Sequence, residues 1–281
     1  MAENITITTD NKGAFQDGTM WAASDIIPNA LIYTQATQGP QIVGDSPQAR
    51  IAYIPDDSEV GFVKEGAAIN EGDVKLSELK VFTRKLAVLN VLSNEAAESA
   101  AQNVKNGMEL SLMHKADYVF LQNKPAVEDQ AQPTGLANVA GIVDGGQITP
   151  ATGLVPMVTA LGTVADNGGE TSGIIMNHGT WARLLSLTDK NGRGLIAPDV
   201  ANSATPTLYG LPVVLNTQAP ANTVLLVDRT QVLSASSQVS VASSQDYAFG
   251  RDGIALRLTM RVGFGVIRPN RLAKLTVSTA E

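Results

Sequence analysis

The stretch Phe82-Thr-Arg-Lys-Leu86-Ala-Val-Leu-Asn-Val-Leu92-Ser93-Asn94-Glu95 changes its hydrophobic rhythm partway along. Up to Leu92 it is rich in Val, Leu and Phe, which suits a strand. At Ser93 the pattern turns helical. Ser93 is placed to cap the first free N–H groups, and Glu95 and Glu98 suit the positive end of a helix dipole. Beyond the junction Ala97, Ala101, Val104, Met108, Leu112, Ala116, Val119 and Phe120 recur mostly at intervals of three and four. That is the apolar stripe of an amphipathic helix. The run lasts until Pro125, about 30 residues or roughly 45 Å at about 1.5 Å per residue. A helix of that length acts as a spine, and its Met and Phe residues read as core.

Upstream of the junction, Arg50-Ile-Ala-Tyr-Ile-Pro55 has an extended, apolar look. A polar stretch with Gly61, Gly66 and Gly72 follows, and Leu76, Leu79, Val81 and Phe82 lead back into the strand. The whole reads as a two-stranded excursion with a loose tip. Such a hairpin is marginal alone in water and must lie on something. Residues 1 to about 35 carry polar turns and an apolar patch around Trp21, Ile26, Ile27 and Leu31. This predicts an arm with one anchoring segment, ordered by another surface.

Downstream, residues 124 to 152 are dense in Pro, Gly and Gln and read as loop. Leu154 to Asp166 then reads as a helix, Ser172 to Met176 as a short buried strand and Thr180 to Leu187 as a helix. Asp189-Lys-Asn-Gly192 reads as a turn, and Leu211 to Leu215 and Val224 to Val227 as strands. Alternation of this kind points to an α/β or α+β layer. The chain ends in strands expected at Ile254 to Val262, Val266 to Arg268 and Leu272 to Val277.

The chemistry of the chain is sparse. It has 281 residues, 44% hydrophobic and 17% charged, with a formal charge of −7 and no cysteine. A core of good size is available, and disulfides and thiolate metal sites are excluded. The acidic balance disfavours sequence-specific nucleic-acid reading. The polar, acidic N-terminus has no apolar signal region, and no segment approaches the roughly 20 apolar residues of a membrane span. A soluble chain with no membrane partner is expected. No Walker-type loop and no G-x-S-x-G elbow occur. Gly263-Phe-Gly265 begins like a dinucleotide fingerprint, but Arg268 stands where the last glycine belongs, inside a strand pattern. His114 and His178 stand alone and make a poor metal site. The turn Asp189 to Gly192 lacks the alternating ligands of a calcium loop. No catalytic, cofactor-binding or metal-binding residue is expected.

Charge is distributed more tellingly. From Asp56 to Asp73 the acids are Asp56, Asp57, Glu59, Glu65, Glu71 and Asp73, against Lys64 alone. From Arg251 to Lys274 the bases are Arg251, Arg257, Arg261, Arg268, Arg271 and Lys274, against Asp252 alone. Charge runs are usually solvated faces. The sharper expectation is that the acidic hairpin meets the basic strands, on a neighbouring subunit.

The order of these features resembles the tailed-bacteriophage major capsid proteins of the Hong Kong 97 type. The residues that carry it are the acidic hairpin from Asp56 to Glu78, Phe82-Thr-Arg-Lys-Leu86-Ala-Val and Leu92-Ser93-Asn94-Glu95. To these add Trp181-Ala-Arg-Leu-Leu185-Ser-Leu-Thr-Asp189-Lys-Asn-Gly-Arg193, Leu208-Tyr-Gly210-Leu-Pro212-Val-Val, Val224-Leu-Leu-Val-Asp228, Leu256 to Arg261 and Leu272 to Val277. It covers about residues 50 to 280, and its specificity lies in the order and spacing of the motifs.

The resemblance implies an α+β Hong Kong 97-type fold. It implies an N-arm at 1–35, an E-loop hairpin with flanking P-domain strands at 36–92, and a P-domain with the spine helix at 93–150. An A-domain would follow at 151–250, with terminal strands at 251–281 returning to the P-domain. It implies a non-enzymatic shell protein of the virion, assembled in the bacterial host cytoplasm as pentamers and hexamers around double-stranded DNA. Portal, separate scaffolding and decoration proteins are the implied partners, and no cofactor is. The short run from Met1 to the hairpin leaves little room for a scaffolding segment. Some relatives join subunits through a lysine–asparagine bond. Lys64 lies in the hairpin, but no asparagine or glutamate matches the motif. A shell of the same fold also occurs in encapsulin-like nanocompartments, which enclose cargo protein.

Overall fold

The computed structural model describes residues 19–42, 46–54, 77–126, 132–189, 191–196 and 206–278, with side chains for all of these except 19 and 96–102. β1 (Thr19–Trp21) leads into two short helices, α1 (Ala23–Ile26) and α2 (Leu31–Thr34), and then β2 (Thr37–Gln38). β3 (Gln48–Tyr53) and the long β4 (Ser77–Ser93) follow, and β4 runs directly into α3 (Asn94–Gln122). Next come β5 (Val143–Ile148), α4 (Val155–Asp166), β6 (Gly173–Met176) and α5 (His178–Leu185). β7 (Thr207–Leu208), β8 (Leu211–Leu215) and β9 (Thr223–Val227) complete the middle. β10 (Val232–Ser236), β11 (Val239–Ala248), β12 (Gly253–Val266) and β13 (Ala273–Val277) close the chain.

The junction at Ser93 is a strand running into a helix, and its far partner is local to neither. The Asn94 N–H donates to the Asp252 carbonyl oxygen at 3.0 Å, and Asn94 Nδ2 donates to Asp252 Oδ1 at 2.6 Å. Asp252 sits in the turn before β12 with a φ of 47°, a left-handed conformation that Asp tolerates better than most residues. From there α3 runs 29 residues. Its stripe of Met108, Leu112, Ala116, Val119 and Phe120 is buried against the inner face of the larger sheet. Phe120 meets Phe264 of β12 edge to face, with ring centroids 5.1 Å apart.

In that sheet β12 is central. β4 pairs along one side of it, from Gly253↔Ser93 to Gly263↔Thr83. β11 and β10 lie end to end along the other. β1 edges β11, β2 edges β10, and β3 pairs with the first part of β4, from Gln48↔Phe82 to Tyr53↔Ser77. The smaller sheet has the order β5-β13-β9-β6-β8-β7. One face packs Ile174, Met176, Val224 and Leu226 under α4 and α5. The other face sends Ile175, Leu225 and Val227 into the core of the spine helix. Burial on both faces explains why Gly173–Met176 is a continuous apolar run and not an alternating one.

β10 and β11 belong to the larger sheet, whereas β5 and β13 join the smaller one. Pairing partners are long-range, and nothing in a strand's own composition names them. The segment around Ile27 and Leu31 packs on the chain itself: Ala23, Ile27, Ala30, Leu31 and Ile32 are buried in the same core as the spine.

The expected break in the last long strand is also absent. β12 continues through Gly263-Phe264-Gly265, and these glycines explain what happens beside it. At Thr83 the first part of β4 leaves the ladder and passes over the outer face of β12. A Cβ at Gly263 would lie 2.5 Å from the Phe82 carbonyl oxygen and 3.0 Å from Val81 Cγ1. One at Gly265 would lie 3.1 Å from Leu79 Cδ2. Leu79 and Val81, with Ile42, Ala49 and Ile51, then pack on Ala235 of β10 as a small satellite core. Gly263→Ala is expected to destabilise the subunit by about 1–3 kcal/mol, because the obstacle is backbone and cannot rotate away. A shifted midpoint in urea unfolding checks this.

Candidate assembly surface

The outer face of the larger sheet is covered on one half only. The strand pairings place Ala242, Arg257 and Leu89 in one row across β11, β12 and β4. Ser244, Ala255 and Val91 form the next row on the same face, and Met20, Ser240, Thr259 and Ala87 the row on the other side. No described element of the chain covers these rows. Leu89 and Val91 are each 50% exposed, and Met20 is 68% exposed. At the end of this sheet the β11–β12 turn holds out Tyr247 and Phe249, the latter 85% exposed. Scattered exposed apolar residues are ordinary, whereas a contiguous set marks an interaction surface. Arg257 stands exposed in the middle of this one, and Arg251 is exposed at the turn.

The structure separates the basic residues that the sequence groups together. Arg261 backs onto the bulge between β10 and β11, where its N–H donates to Ser237 Oγ at 2.8 Å, and its Nη1 lies 3.5 Å from the Thr83 carbonyl oxygen. Arg268 Nη2 donates to the Ile54 carbonyl oxygen at 2.9 Å. Arg271 Nε donates to the carbonyl oxygen of Asn167 at 2.9 Å, at the C-terminal end of α4, where a cation suits the helix dipole. Lys274 Nζ reaches the Ala137 carbonyl oxygen at 3.1 Å. These four residues bind the chain to itself, leaving Arg251 and Arg257 facing outward. The expected partners Asp56, Asp57, Glu59, Lys64, Glu65, Glu71 and Asp73 lie outside the described residues. Of the anchor residues, Ile27 is buried, Ile26 is half-buried, and Trp21 on β1 pairs with Val239 while remaining 47% exposed.

Sequence reasoning missed Asp117. Its carboxylate is buried where three parts of the chain meet. Oδ1 accepts from the Leu31 N–H at 2.8 Å, at the start of α2, and Oδ2 accepts from Asn216 Nδ2 at 2.7 Å, beyond β8. Burial pushes this carboxyl above the usual carboxylate range, and the two hydrogen bonds and the field of His114 pull it back part of the way. The available signal was an acid directly beside the apolar stripe positions Ala116, Val119 and Phe120.

Among the described residues no group of three or more His, Cys, Asp or Glu side chains is placed to hold a metal, and no helix is long and apolar enough to cross a membrane. Among the described residues, strand edges and uncovered sheet face outward. The chain belongs to the phage capsid family, whose profile matches residues 29–277. It is a shell protein of the virion and not an enzyme.

Solved structures agree on the fold. A chain of Gordonia phage Cozz is 16% identical with a TM-score of 0.67, covering 100% of this chain and 92% of that one. One of Microbacterium phage Oxtober96 is 18% identical with a TM-score of 0.67, covering 89% and 91%. A third, from the capsid of an empty GTA particle computed with C5 symmetry, is 16% identical with a TM-score of 0.66, covering 99% and 100%. None of the curated proteins compared is significantly similar to the chain. The α+β architecture is that of the Hong Kong 97-type capsid fold.

Proposed function

We propose that this chain assembles with copies of itself into pentamers and hexamers of an icosahedral phage head that encloses double-stranded DNA. The observation that carries the reading is the uncovered half of the outer sheet face, in a chain of the phage capsid family. Covering that face with an adjacent subunit supplies burial that the isolated chain lacks, and repetition around closed axes does this for every copy. The C5 symmetry of the GTA relative supports a five-fold ring. The occupant proposed for the face is the acidic segment around Asp56 to Asp73 of a neighbour, with Arg257 and Arg251 setting register. Such charge pairs guide docking more than they add affinity. The net charge of −7 leaves packaged DNA free to slide and leave. Assembly in the host cytoplasm, with portal, scaffolding and decoration proteins, completes the proposal.

Electron microscopy of the purified protein tests it. Rings and closed shells are expected; a protein that stays monomeric at every concentration overturns the reading, and a small shell filled with protein and no DNA assigns it to a nanocompartment. Arg257→Glu is expected to lower the yield of shells about tenfold, equivalent to about 1.4 kcal/mol per tenfold step, with unchanged circular dichroism. Sedimentation of the variant beside wild type reads this out.

A further inference from the structure

The turn between β7 and β8 carries a residue that its backbone disfavours. Thr207 pairs with Pro212 and Leu208 with Leu211, which leaves Tyr209 and Gly210 as a two-residue loop. Their φ angles are 53° and 78°, both in the left-handed region. A loop of that kind favours Asn-Gly or Asp-Gly, because short or absent side chains tolerate the conformation. A tyrosine there costs stability, and a bulky residue held in that region points to a use beyond the turn itself. Burial within the subunit does not offset the cost, since Tyr209 is 51% exposed.

The loop stands at one edge of the smaller sheet. β7 is the last strand there, only two residues long, and Pro206 precedes it. A short strand with a proline beside it offers little backbone for another strand to join. Contact at this edge falls to a side chain, and Tyr is enriched among the residues that dominate interfaces. The opposite edge is β5, and α4 packs on β5 and β13. From Val155 to Ala165 this helix carries no charge. Its outward side shows Val155, 68% exposed, and Val158. On the same side the Thr159 and Thr163 hydroxyls donate to the Val155 and Thr159 carbonyl oxygens at 3.1 and 3.0 Å, so they are already paired. Leu195 is exposed beside the start of the helix, where a Cβ at Gly153 would lie 3.2 Å from its Cδ1.

We propose that Tyr209 of one copy docks on the α4 face of the next copy, around Val155, Val158 and Leu195. The proposal rests on the capsid reading above and adds a second contact to the outer sheet face. The ring and its seat lie at opposite edges of one six-stranded sheet, roughly 24 Å across at about 4.8 Å per strand spacing. The contact is therefore head to tail: each copy gives its ring to one neighbour and its helix to the other. Repetition of such a contact closes a ring when the rotation fits, and a pentamer or hexamer needs contacts of this kind. The chemistry matches as well. A tyrosine ring buries its apolar body on an uncharged seat and keeps its hydroxyl at the wet rim.

Tyr209→Asn gives the turn a residue that it prefers and removes the ring. Its midpoint in urea unfolding is expected to equal or exceed that of wild type, while its shell yield falls about tenfold, as when an interface loses an aromatic anchor. The opposite signs separate assembly from a structural role. A lowered midpoint means that the ring serves the subunit's own fold and overturns the proposal, as does a wild-type yield of shells. Val158→Asp, at an exposed helix position, tests the seat and is expected to assemble as poorly with unchanged circular dichroism; normal shells from it overturn the proposal. Photocrosslinking then reads the contact directly, with benzoylphenylalanine in place of Tyr209 in the full-length chain and irradiation of assembled particles. Mass spectrometry is expected to join position 209 to residues 153–163 or to Leu195. The span across the sheet keeps that crosslink from forming within one copy. Crosslinks confined to any other region of a second copy, or none between copies, overturn the proposal. Wild-type protein that stays monomeric overturns the capsid reading and this contact together, whereas wild-type shells beside unimpaired Tyr209→Asn shells overturn this contact alone.

Discussion

Leu89→Asp combined with Val91→Asp is expected to abolish shell formation and leave a folded subunit. Both side chains point outward on β4, each half exposed, in adjacent rows of the uncovered face. In the free subunit the new carboxylates stay hydrated, and exposed substitutions of this kind usually change stability by only about 0.5 kcal/mol. In the assembled shell they would be covered. An unpaired buried charge costs several kcal/mol, and under the docking proposed above two would also face an acidic segment. The loss recurs at every equivalent contact, so shells vanish instead of thinning. Sedimentation shows the missing particle, and circular dichroism shows the intact fold. Normal shells from this double variant would remove the outer face from the assembly contacts.

Asp117→Ala has the largest expected effect on the subunit itself. It strands the buried Leu31 N–H and the Asn216 amide together, at the place where α2, α3 and the segment after β8 converge. Each unpaired group costs about 1–3 kcal/mol, so a loss of about 2–5 kcal/mol is expected in urea unfolding. The charge on Asp117 adds a pH signature. Burial raises its folded pKa above the unfolded value, so the native state binds the proton more tightly than the unfolded chain does. The stabilisation from this group is then complete below the unfolded value, about 3.9, and is lost as pH rises through the raised folded value. Asp117→Asn carries no such titration. The stability of wild type relative to Asp117→Asn is therefore expected to decline as pH climbs through that window, and paired urea titrations at several pH values measure it. A difference independent of pH would mean that the carboxyl does not titrate differently on folding.

Gly263 and Arg268 show how far local reading reaches. A glycine pair in a strand pattern can be recognised as unusual. Nothing near it in sequence says that β4 needs the space, because Phe82 is brought there only by the fold. The run of bases from Arg251 to Lys274 reads as one surface on the page. In space its members part ways, because Arg257 and Arg261 lie on β12 of the larger sheet, Arg251, Arg268 and Arg271 in the turns around it, and Lys274 on β13 of the smaller sheet.

What the sequence by itself determined is whatever period and composition encode: the strand-to-helix change at Ser93, the spine of α3, the paired limbs around Arg50–Tyr53 and Leu79–Phe82, the helix and strands from Leu154 to Val227, and through their order the capsid family. Those signals are local, since a helix or strand shows its buried face within its own few turns. The tertiary structure alone decided which strands pair, where Asp117 finds its donors, which cations are spent on the chain's own carbonyl oxygens, and that half of one sheet face stays uncovered. Each of these depends on contacts between residues far apart in the chain, and a side chain's partner at that distance is set by packing and not by its neighbours in sequence.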